Sequence, residues 1–128
     1  MPDDRITEWT LGLVKHDVRA FERARTRFLR QPSVERLHDL RTSARRLRCL
    51  QDDVHDAVPA FAVKRLRRLV ELTGEARDAE VQRQALRDAL DVREHRAARG
   101  ILRALRTRER ATLKRIARAL ARVRIVAP

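Results

Sequence analysis

Residues 33–50 read Ser33-Val34-Glu35-Arg36-Leu37-His38-Asp39-Leu40-Arg41-Thr42-Ser43-Ala44-Arg45-Arg46-Leu47-Arg48-Cys49-Leu50. Leu37, Leu40, Ala44, Leu47, Leu50 and then Val54 recur at steps of three and four, the spacing that gathers side chains on one face of an α-helix. Ser33 suits the N-cap, where its hydroxyl can accept a free backbone N–H, and Pro32 ends whatever precedes it. A helix is therefore expected from Ser33 to about His55. At about 100° per residue, His38, Arg41 and Arg45 fall within roughly 60° of one another, opposite the leucines. Arg46 and Arg48 flank them. One helix thus carries an apolar face and a broad cationic one.

Working outward, Leu11, Val14, Val18, Phe21 and Phe28 form a similar stripe, with Arg25 in one slot, and predict a helix over about 7–30. Pro59 suits the first turn of a third helix carrying Phe61, Leu66, Leu69 and Leu72, with Gly74 as its stop. A fourth segment is expected over about 75–91, with Val81, Leu86 and Leu90 inward. A long last helix over about 92–124 places Leu102, Leu105, Leu113, Ile116, Leu120 and Val123 on one stripe. Trp9, Phe21, Phe28 and Phe61 all read as core. Short links between long helices favour antiparallel neighbours. The expected fold is all-α: one domain over 1–128, an antiparallel helical bundle of four to five helices without strands.

Composition agrees. Three Gly and four Pro in 128 residues leave too few turns for an all-β chain. Hydrophobic residues at 43% suffice for one core, and charged residues at 38% suffice for long solvated faces. No apolar run approaches a membrane span, and the first residues lack the basic and apolar parts of a signal peptide. The expected location is cytoplasmic. Cys49 alone makes no internal disulfide, and His16, His38, His55 and His95 are too scattered for a metal site. The net charge of +13 is uneven: residues from 93 onward hold 12 basic and 2 acidic side chains, the first 92 hold 19 and 16. Such a field attracts anions.

Arginine suits phosphate because its planar fork donates two parallel hydrogen bonds and stays charged at physiological pH. Forks one helical turn apart, about 5.4 Å, can follow a chain of phosphates. His38-x-x-Arg41-x-x-x-Arg45-Arg46-x-Arg48, followed by Gly74-x-x-Arg77-Asp78-x-x-Val81, resembles the CHAD domain, the conserved histidine α-helical domain. The last helix resembles the segment that follows in that family, with Arg99, Arg103 and Arg106 in its basic stripe. The resemblance implies a helical domain that binds inorganic polyphosphate, without cofactor, metal or turnover, at times at polyphosphate granules. The implied contacts are His38, Arg41, Arg45, Arg46, Arg48, Lys64, Arg67, Arg77, Arg99, Arg103 and Arg106.

Two departures stand out. A full CHAD domain looks like two tandem bundles, each with a His/Arg helix; here there is one, so the chain resembles a short form of about half the domain. A homodimer could place a second such face opposite the first. Thr73 also stands where the family pattern has leucine, with Leu72 one place earlier.

Each residue has a plainer structural role beside the functional one. His38 could orient an arginine or backbone group as readily as touch phosphate, and Arg77 and Asp78 could pair with neighbouring helices. Arg99, Arg103, Arg106 and Arg110 recur at steps of four, three and four, with only Glu109 as a nearby acid. Asp52, Asp53 and Asp56 read as local partners of arginine. The alternative function is non-specific nucleic-acid binding, against which stand an aromatic content of 3% and the lack of a recognition motif. An enzyme of phosphate chemistry would need metal-holding carboxylates or a glycine-rich loop. A last reading is an assembly subunit whose charges only keep it soluble.

Overall fold

The structure, a computed structural model, describes residues 4–127. Its elements run α1 (Asp4–Arg30), α2 (Val34–Val54), β1 (Ala62–Lys64), α3 (Leu66–Ala89), α4 (Val92–Ala97), α5 (Arg99–Ala121) and β2 (Arg124–Val126). The helices form an all-α bundle in which α1 packs on α2, α2 on α3, and α3 on α5.

The α1–α2 turn forms as the residues dictate. The Ser33 hydroxyl accepts the Arg36 N–H at 3.2 Å, capping α2. The Arg36 guanidinium reaches back to the Arg27 and Gln31 carbonyls at 3.0 and 3.1 Å, joining the Gln31 N–H on the first and giving the second a donor where α1 ends. Behind this turn, Phe21 and Phe28 of α1 meet Leu37, Leu40, Ala44 and Leu47 of α2 in one core that also takes in Leu69, Ile116 and Leu120. Arg25, the odd residue in the α1 stripe, donates to the Val123 carbonyl at 3.2 Å and so ties α1 to the end of α5.

Several expectations need correction. A two-stranded antiparallel sheet exists: Ala62, Val63 and Lys64 pair with Val126, Ile125 and Arg124. The Val63 N–H is also held by the Gln51 side-chain oxygen of α2. No helix starts at Pro59, and Phe61 is buried just ahead of β1 instead. Gly74 does not end a helix. It lies inside α3, which joins the two segments expected on either side of it. An interior glycine weakens a helix by about 1 kcal/mol relative to alanine. The buried Leu69, Leu72, Thr73 and Ala76 around it outweigh that.

The long last helix is broken. Asp91 and Glu94 form a reciprocal capping box, each side chain accepting the other's backbone N–H, which starts the short α4. Ala98 then leaves helical geometry, at φ −86° and ψ 7°, before α5 begins. Of the expected stripe, Ile116, Leu120 and Val123 are buried, while Leu102, Leu105 and Leu113 are only half-buried. Val81 is 56% exposed and Trp9 70% exposed, so neither belongs to the core. Both lie off the buried faces of their helices: at 100° per residue Trp9 is roughly 140° from Val14 on α1, where its neighbour Thr10 is buried instead, and Val81 is roughly 120° from Leu69 on α3.

Candidate anion-binding site

Because α2 is buried on its leucine side, its opposite side looks outward between α1 and α3. Two grooves border it. The first, of about 670 Å³, runs between α2 and α3 and is lined by His38 and Arg41 from one helix and Thr73 and Arg77 from the other. The second, of about 280 Å³, runs between α1 and α2 and brings Arg23 and Arg27 beside His38 and Arg46. His38 lines both. Its side chain is exposed and, among the described residues, has no hydrogen-bond partner; its backbone carbonyl accepts from Thr42 Oγ1 at 3.0 Å.

Arg41 is the most constrained group of the site. It is half-buried, and its Nε is withdrawn from solvent without a hydrogen-bond partner. Burial pushes its guanidinium below the ordinary arginine value, and the positive charges of Arg45 and Arg77 push the same way; Asp78 pulls in the opposite direction. Two arginine groups that are more than thirty residues apart in the chain thus share one field. Among the described residues, Arg41, Arg45, Arg46, Arg48 and Arg77 have no carboxylate within ion-pair distance. Carboxylates are nevertheless present on the rim: Glu35, Asp39 and Glu80 line the α2–α3 groove. They gather around the start of α2, where acids complement the helix dipole. Moving along α2, the groove becomes more basic.

The expected contacts divide accordingly. His38, Arg41 and Arg77 come together, with Arg45 close by through its charge. Arg48 is half-buried two turns beyond Arg41, and Arg46 turns toward α1. Lys64 sits on β1 opposite Arg124, away from the groove. Arg67 is ion-paired to Glu71 at 3.3 Å in the first turns of α3. Arg99, Arg103 and Arg106 are exposed on the first half of α5 and do not line the α2–α3 groove. Arg23 and Arg27 were missed. Their spacing from Ala24 and Phe28 on the α1 stripe put them next to α2, a signal available in the sequence.

A histidine and three arginines converging from the α2 motif and the α3 Arg-Asp motif, inside a helical bundle, agree with a family comparison. A CHAD domain family model matches residues 8–127. The chain belongs to the CHAD domain family. The family is associated with polyphosphate binding in general. No curated protein and no solved structure matches the chain. Within this CHAD domain, Thr73 explains its departure from leucine: it is fully buried in α3, and its hydroxyl donates to the Val70 carbonyl at 2.8 Å, so no polar group is left unsatisfied. Among the described residues, no helix is long and apolar enough to cross a membrane, and no three His, Cys, Asp or Glu side chains are grouped to hold a metal ion.

Proposed function

We propose that this CHAD domain binds inorganic polyphosphate along α2 and the α2–α3 groove, without turning it over. The observation that carries the reading is the unpartnered cluster of Arg41, Arg45 and Arg77, in which burial and mutual repulsion act on Arg41. An anion with several phosphoryl groups neutralises the repulsion and offsets the burial by supplying charged acceptors. Arg41, Arg45 and Arg48 are spaced about one turn apart on α2 and can engage successive phosphoryl groups with bidentate forks. His38 sits at the junction of the two grooves, where it can donate to the chain as it passes from one to the other.

Nucleic acid has a similar electrostatic appeal, and Trp9 is exposed after all. That tryptophan lies about 27 Å along α1 from Arg27, at 1.5 Å per residue. It cannot interleave with the arginines as a stacking platform does. We propose further that the protein is cytoplasmic, with a polyphosphate granule as a location, and that it works as a homodimer whose second His38 face closes the site from the other side.

Competition at matched salt tests the reading. Long-chain polyphosphate is expected to displace bound DNA at physiological ionic strength. DNA binding as tightly per charge would replace this reading with that of a generic cation. Light scattering with and without polyphosphate tests the dimer, which a strict monomer in both conditions would eliminate.

A further inference from the structure

A concavity more uniformly basic than the α2–α3 groove lies elsewhere. Between the first turns of α3 and the last turns of α5 is a cleft of about 290 Å³ lined by Arg65, Arg68, Arg115, Arg118 and Arg122, with Leu72 and Ala119 as its apolar floor. No carboxylate lines it. Glu71, the nearest counter-charge recorded, is 3.7 Å from Arg68 and is shared with Arg67. Among the described residues, Arg65, Arg115, Arg118 and Arg122 have no ion-pair partner.

Helix dipoles explain part of this cluster and not the rest. Arg118 and Arg122 stand at the C-terminal end of α5, where cations are favoured. Arg65 and Arg68 stand at the N-terminal end of α3, which is already positive, has no acid in its first turn and has no side-chain cap. Arg65 is also the non-glycine residue with left-handed backbone, at φ 65° and ψ 15°, a conformation that glycine adopts without strain. A residue that is wrong for its backbone and wrong for its helix end is explained if its side chain is needed where it is.

This cleft is separate from the α2–α3 groove. On α3, Arg68 is turned by roughly 140° from Thr73 and roughly 180° from Arg77, so the two sites flank the helix. We propose that the α3–α5 cleft is a second phosphoryl-binding site, and that one long polyphosphate chain occupies it and the α2–α3 groove together. The part of this inference concerning joint occupancy rests on the proposed function above. A helix with its side chains is about 10–12 Å across. A long chain bridges that width, and once held at one site it meets the other at high effective concentration. A short oligophosphate held in one site does not reach the other. The domain thereby selects long chains over short ones.

Calorimetry with tripolyphosphate and with long-chain polyphosphate tests this on the full chain. The wild type is expected to take two tripolyphosphates, and R115A/R118A and R41A/R45A one each. Each double variant should bind long-chain polyphosphate at least tenfold more weakly, while R30A/R124A, which removes the same charge elsewhere, keeps both sites. Arg65→Gly supplies a second measurement: a higher Tm, from the relieved backbone, together with weaker tripolyphosphate binding. A wild type that takes one tripolyphosphate, lost in R41A/R45A and kept in R115A/R118A, overturns the second site and leaves the proposed function standing. Loss in R115A/R118A alone, with R41A/R45A unchanged, keeps the second site but overturns both the proposed function and the bridging.

Discussion

Replacing Arg41 with methionine should make the protein more stable and a poorer binder. Methionine keeps an unbranched stem of similar length and removes the guanidinium. In the free protein that group has a buried Nε without a partner and lies in the field of Arg45 and Arg77. A buried polar group left unsatisfied costs about 1–3 kcal/mol. Arg41 is only half-buried, so the lower end, about 1 kcal/mol, applies. For a domain of 128 residues this raises Tm by about 3–5 °C. Binding moves the other way: losing one charge-assisted contact weakens it by about 1–3 kcal/mol, or roughly 5- to 150-fold in Kd. Thermal melts of both proteins, with and without long-chain polyphosphate, read out both effects. The ligand-induced rise in Tm should be smaller in the variant. A variant that melts below wild type without ligand would show that the guanidinium is structurally satisfied, and unchanged affinity would remove Arg41 from the site.

Arg45→Lys keeps the charge and loses the fork, so polyphosphate binding should weaken by about 1 kcal/mol while Arg30→Ala stays at wild-type affinity; equal losses in the two would mean that charge alone binds. Arg45→Ala should in addition flatten the dependence of affinity on salt, measured by titration at several ionic strengths. Ser33→Ala removes the α2 cap and should lower stability by about 1 kcal/mol in chemical denaturation, leaving the affinity of the folded protein unchanged. Arg83 Nε lies 3.2 Å from Glu109 Oε2 between α3 and α5, without pointing its N–H at that oxygen. Glu109→Ala strands this shielded arginine and should destabilise by about 1–2 kcal/mol, and adding Arg83→Met should recover most of the loss.

The helices that carry α2 and its neighbours were legible because their signals are local and agree with one another. Ser33, the leucine spacing from Leu37 to Leu50 and the cationic side from His38 to Arg48 all describe the same helix. Gly74 misled because a stop signal has weight only where the flanking residues have nothing to bury, and Leu72, Thr73 and Ala76 do. The β1–β2 pair could not be read from runs of three residues, since their pairing depends on where α3 begins and α5 ends. Trp9 looked like core because its type is apolar, but it lies off the stripe of Val14 and Phe21, and its neighbour Thr10 is the residue buried at that level. The approach of Arg77 to Arg41 follows from the packing of α3 on α2, which no single-helix periodicity contains; the family resemblance pointed to both residues without giving their proximity. The α3–α5 cleft escaped for the same reason, since its arginines come from opposite ends of a long hairpin.

The small sheet also bears on the order in which the chain assembles. Ala62 and Val126 are joined across the whole of α3, α4 and α5. Closing a flexible segment of that length opposes pairing by about 4 kcal/mol, more than three-residue strands can repay. Once α3 and α5 lie side by side, with Arg65 already near Arg122, the gap left to close is only a few residues wide. The clasp thus fastens after the helices that carry it; Lys64 facing Arg124 weakens it, while buried Val63, with its N–H on the Gln51 side chain, holds it to the core. The clasp lies at the end of the protein that holds Arg65 and Arg122, and no residue of either strand lines the grooves at His38.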